Sequence, residues 1–140
     1  MIKERLCSYK LSKLLQEKGF DEECANWYVD EDLDVITIND CIDVQSNSDH
    51  YAKDFECTAP THQMAMDWLR IVHKIHIFIL PSLMDDNYFK YKIILRSSNS
   101  LHPYEEIKPA SCFLHGFGDT VEEACIYALE TLPNKNIKSE

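Results

Sequence analysis

Glycine and proline are scarce in this chain, three and five in 140 residues. That excludes collagen-like and low-complexity classes. With so few glycines there is also no Gly-rich loop to cradle a phosphate, and no Gly-x-Ser-x-Gly string is present. Cations are short as well. Fourteen Lys and Arg face 24 Asp and Glu, a formal charge of -10. Such a balance disfavours a broad grip on nucleic-acid phosphates, so no nucleic-acid partner is expected. The longest apolar run, Ile75 to Pro81, is interrupted by His76 and too short to cross a bilayer. The residues after Met1 lack the apolar core of a secretory signal, so a cytoplasmic protein without membrane association is expected.

What is present suffices for a folded domain. The chain is 45% hydrophobic and 27% charged, enough to build a core without cross-links. The six cysteines (Cys7, Cys24, Cys41, Cys57, Cys112, Cys125) are therefore read as free, mostly buried thiols. A single domain over 1–140 is expected. It comprises an acidic N-terminal part (1–56), a core (57–134) and a short tail (135–140).

The charge is unevenly placed. Between Phe20 and Ala52 lie ten acids and no Lys or Arg, whereas the remainder holds 14 of each sign. Self-repulsion in such a segment requires solvation or a positive partner. Two readings follow: a solvated face, or a surface for a basic host protein centred on Asp30, Glu31, Asp32 and Asp34. Val35, Ile36, Ile38, Ile42 and Val44 interleave with the acids, so the segment is expected to fold.

Periodicity predicts a helix over 3–18, stopped by Gly19, and a second short helix from an Asp21 N-cap to Tyr28. Residues 33–38 and 41–45 read as a hairpin, and 47–54 as polar linker. A clearer helix follows, capped by Thr58 or Thr61 with Pro60 in its first turn, buried through Met64, Ala65, Trp68, Leu69 and Val72, and ending near His73. Ile75, Ile77 and Ile79 share one face of a strand, and Tyr88 to Arg96 forms its antiparallel neighbour. A long loop (97–110) and a short strand (111–116) precede a last helix. Asp119 and Thr120, each with a Glu three places on, give that helix a capping-box start, and Val121, Ala124, Cys125, Ala128 and Leu129 give it a buried stripe. The expected class is α+β: a small antiparallel sheet with helices packed on one face, in α-β-β-β-α order through the C-terminal half. An open sheet edge and exposed aromatics leave room for a homodimer.

Two blocks, Leu11–Glu22 (LSKLLQEKGFDE) and Ala59–Arg70 (APTHQMAMDWLR), with the closing Glu122-Glu123-Ala124-Cys125 helix, resemble small proteins of phages and prophages of Bacteroides-like bacteria. The resemblance implies a mobile-element origin and, by analogy with other small phage accessory proteins, a non-enzymatic host-interaction or counter-defence role. The strand and helix order also looks like a double-stranded-RNA-binding domain. There the last helix starts lysine-rich, but here that place holds Asp119, Glu122 and Glu123, which argues against RNA.

Three chemistries come into question. His73-x2-His76 and Cys112-x2-His115 could supply zinc ligands, but the first pair straddles a helix-to-strand change, and no metal or other cofactor is expected. Nucleophilic catalysis needs an electropositive, partly exposed thiol, which an acidic chain does not offer, so no enzyme activity is expected. Capture of a phosphate-bearing small molecule is the alternative to a host protein. Thr58, Thr61, His62 and Gln63 would present donors at a helix N-terminus, with Trp68, Arg96, Tyr104 and His115 adding stacking or charge. Self-capping by the threonines would explain the same residue types.

Overall fold

A computed structural model describes residues 5–29, 35–37, 44–51, 54–82, 87–96, 104–107 and 114–132. Its elements are α1 (Tyr9–Glu17), β1 (Asn26–Val29), β2 (Val35–Thr37), β3 (Phe55–Thr58), α2 (His62–His73), β4 (Ile75–Pro81), β5 (Tyr88–Arg96), β6 (Tyr104–Ile107), β7 (Leu114–His115) and α3 (Phe117–Glu130). The class is α+β. The chain divides into two compact units, one formed by Met1–Thr61 with Leu132–Glu140, the other by His62–Thr131.

In the first unit, α1 begins at Ser8, whose Oγ accepts from the Leu11 N–H at 3.2 Å. It ends at Lys18, and Gly19 takes the left-handed φ of 103° that releases the chain from the helix. Leu11 and Leu15 bury the inner stripe. The helix is shorter than its pattern suggested, because Leu6 is held in an extended bridge to Thr61. Gln16 Nε2 donates to the Glu56 carbonyl and Lys13 Nζ to the Glu56 carboxylate, fixing α1 on β3.

The three-stranded sheet of this unit runs β2-β1-β3, antiparallel throughout. The expected second helix is absent: residues 26–29 are strand, with Trp27 and Tyr28 buried. Asp21 caps no helix. Its carboxylate instead accepts from the Ser48 N–H and hydroxyl at 2.8 and 2.5 Å, which holds its pKa below the usual carboxylate value. Val35–Thr37 pairs with β1 and Gln45 bridges Cys24, while residues 38–43 of the expected hairpin lie outside the described residues. Phe55–Thr58, which includes the candidate helix cap Thr58, is a strand.

The second unit is nearer to expectation. Helix α2, strands β4 and β5 and helix α3 stand where the pattern puts them, and β4 pairs antiparallel with β5 from Ile75 opposite Leu95 to Pro81 opposite Phe89. Strands β6 and β7 both pair with β5, at its two ends; β6 is an extra strand inside the segment read as loop. Helix α3 packs on β4 and β5, and α2 on β4 and α3. Ala65, Leu69, Ile75, Tyr91, Ile93, Val121, Ala124, Cys125, Ala128 and Leu129 form the buried layer.

Two turns of this unit carry positive φ. Lys74, at 61°, turns α2 into β4, and Gly116, at 91°, is the N-cap of α3. The capping box does not form, because the helix starts earlier, at Phe117. Thr120 is thereby inside the first turn, where its hydroxyl bonds back to the Gly116 carbonyl at 2.7 Å.

Candidate functional site

The donors expected at the start of α2 do not gather there. Thr58 lies in β3, fully buried, and its N–H donates to Asn47 Oδ1. Thr61, the residue before the helix, has its carbonyl 3.7 Å from the Cys7 thiol, and the Pro60 carbonyl accepts the Cys7 N–H. Pro60 therefore precedes the helix instead of sitting in its first turn.

In the second unit, His62 opens α2 with its Nε2 2.8 Å from Glu122 Oε2 on α3, both side chains largely buried. Gln63 Nε2 donates to Asp67 Oδ1 one turn on. A helix start flanked by the Glu122 and Asp67 carboxylates repels an anion more than its dipole attracts one.

The remaining candidates do not converge. Trp68 is buried with His73 edge-on at 4.8 Å. Arg96 stands opposite Tyr104 at one end of β5, and His115 opposite Tyr88 at the other. Eight residues of strand separate those ends, about 27 Å at the usual rise. Asp30, Glu31, Asp32 and Asp34 lie outside the described residues. Of the zinc candidates, Cys112 also lies outside them. His73 contacts Trp68, His76 stacks on Phe78, and His115 meets Tyr88 edge-on.

The thiols are unsuited to nucleophilic chemistry. Cys7, Cys24, Cys57 and Cys125 are free and buried. Burial pushes the Cys24 thiol up to about 11, and Cys57 and Cys125 up to about 12, so each stays protonated at neutral pH.

A site that sequence reasoning missed lies along β4. This strand ends the β4-β5-β6 order, so among the described residues its outer edge pairs with no other strand. A groove of about 330 Å³ borders residues 76–79 of that strand, walled by Gln63, Met66, Asp67 and Arg70 of α2 and by Phe117 of α3. Asp67 is fixed between Gln63 and Arg70, giving the apolar groove a polar rim. The i, i+3, i+4, i+7 spacing of those α2 residues was available in the sequence, but they read as the solvent face of an ordinary amphipathic helix.

The sheet face turned away from α2 and α3 is partly exposed. On β4 it carries His76, Phe78 and Leu80; on β5, Tyr88, Lys90, Lys92, Ile94 and Arg96. Phe78 is 46% exposed and Tyr88 39%. The strand alternation, correctly read for both strands, places these residues on one face. What hid them was the overall negative charge. No family model, no curated protein and no solved structure matches this chain.

Proposed function

We propose that this is a non-enzymatic binding protein of phage or prophage origin, as its sequence resemblance implies, that holds an extended segment of a host protein against β4. The observation that carries the reading is the unpaired β4 edge beside its groove. Strand addition supplies main-chain hydrogen bonds, and alternate side chains of the guest enter the groove for selectivity. The strand itself, Ile75–Pro81, has no charged residue to discourage pairing. A counter-defence role accords with it, as would a second copy of the chain pairing through the same edge. The acidic run from Asp21 to Asp49 would add attraction for a basic partner. Sequestration of a phosphate-bearing small molecule at residues 58–63 has less support, since His62 and Gln63 are bonded to carboxylates.

The test is capture from host extract with the natural protein and with Ile79→Lys, which charges the groove. A partner held by strand addition is lost with Ile79→Lys and retained in high salt. One held by the acidic run shows the opposite pattern. Equal capture by both proteins would rule out the β4 reading.

A further inference from the structure

The open face of the second unit's sheet departs from the charge of the whole chain. Strands β4 and β5 together carry Lys90, Lys92 and Arg96 and no carboxylate. All three cations are exposed and project from the same side of β5. Aromatic rings stand among them. Phe78 lies directly across from Lys92, with the His76 ring nearly parallel to it (13°, centroids 6.5 Å apart), and Tyr88 stands two residues from Lys90.

We infer that this face binds single-stranded nucleic acid, with Lys92 and Arg96 meeting phosphates and Phe78 and Tyr88 stacking against bases. Exposed rings between cations on an antiparallel sheet suit unpaired bases, whose faces are free, and not a duplex, whose bases are already stacked. An acidic peptide would satisfy the cations but leave the rings without a role. The net charge of -10 does not forbid this. The surplus acids all lie between Phe20 and Ala52, and the rest of the chain is balanced with 14 charges of each sign. The one described carboxylate residue on this face is Glu106, opposite Ile94. Phe78 borders both the β4 groove and this face, whereas Tyr88, Lys92 and Arg96 belong to this face alone.

The experiment is fluorescence anisotropy of labelled oligo(dT) and oligo(U), about 12 nucleotides long, with a duplex and poly-glutamate for comparison. With about two phosphates neutralised, by Lys92 and Arg96, binding to single strands weakens roughly sevenfold between about 50 and 200 mM salt. Tyr88→Ala weakens it about fivefold or more, the scale of one lost base stack. Lys92→Glu weakens it and flattens the salt dependence. These residues are exposed, and circular dichroism confirms that each variant is folded. The inference is overturned by no binding at about 50 mM salt with protein at about 200 μM, well above the usual non-specific range. It is equally overturned by binding indifferent to Tyr88→Ala, or by poly-glutamate binding as tightly as the oligonucleotides, which would make this an acidic-peptide surface.

Discussion

His62 Nε2 and Glu122 Oε2, 2.8 Å apart, join the first residue of α2 to the second turn of α3. Their side chains are only 9% and 15% exposed, so water cannot replace either partner cheaply. Glu122→Ala should cost the second unit about 2 kcal/mol. For a unit of this size that lowers Tm by about 10 °C. Trp68 fluorescence follows this unit and Trp27 the other, so a thermal scan of single-tryptophan variants locates the loss. An unchanged Trp68 transition would show that the pair contributes nothing.

Stability should fall in alkali through the buried thiols. Folded Cys24 titrates at about 11 and Cys57 and Cys125 at about 12, each raised first by burial. The unfolded thiol ionises near 8.5, so above that pH the unfolded chain binds fewer protons than the folded one. Stability is therefore complete below about pH 8.5 and lost as pH rises toward the folded values. For Cys125 alone the loss is about 2 kcal/mol by pH 10. Urea titrations at both pH values, compared with Cys125→Ala, isolate this share. Equal pH slopes in the two proteins would contradict it.

The two positive-φ turns of the second unit respond in opposite directions. A Cβ at Gly116 would meet nothing within 4 Å, so Gly116→Ala is limited by backbone strain at φ 91° and should cost about 1 kcal/mol. Lys74 already bears that strain at φ 61°. Lys74→Gly should gain about 0.5 kcal/mol, less than the strain released, because glycine loses more freedom on folding. Chemical denaturation measures both. A stabilising Gly116→Ala would refute the strain account.

Charging the bare edge should alter solution behaviour more than stability. Phe78 is about half exposed, so Phe78→Lys should shift folding free energy by about 0.5 kcal/mol or less while suppressing self-association. Light scattering across a concentration series reads the second effect. Identical scattering from both proteins would mean that the edge is not a contact between copies.

The second unit was legible in the sequence because its signals are local. Ile75, Ile77 and Ile79 alternate cleanly, and Val121 through Leu129 recur at helical spacing. The first unit was not, since its determinants are distant. Asp21 has the look of an N-cap, yet its carboxylate serves Ser48, 27 residues away, and Trp27 and Tyr28 are strand residues because they pair with Ile36 and Val35. Tyr104–Ile107 carries two glutamates between prolines and gives no apolar alternation, so only its register against β5 makes it a strand. The site suffered likewise. Thr58 is buried in a strand and His62 is paired with Glu122, 60 residues away, so neither offers a donor at the helix start, while the groove needed the edge position of β4, which is a property of topology.

The second unit is one uninterrupted stretch, whereas the first is closed only when Leu132 returns to it, its carbonyl accepting from Lys18 Nζ across a separation of 114 residues. A released chain ending at Thr131 holds every residue of the His62–Thr131 unit but lacks the last piece of the unit made before it. Such a truncation should retain the Trp68 transition and weaken that of Trp27, although the N-terminal residues are synthesised first.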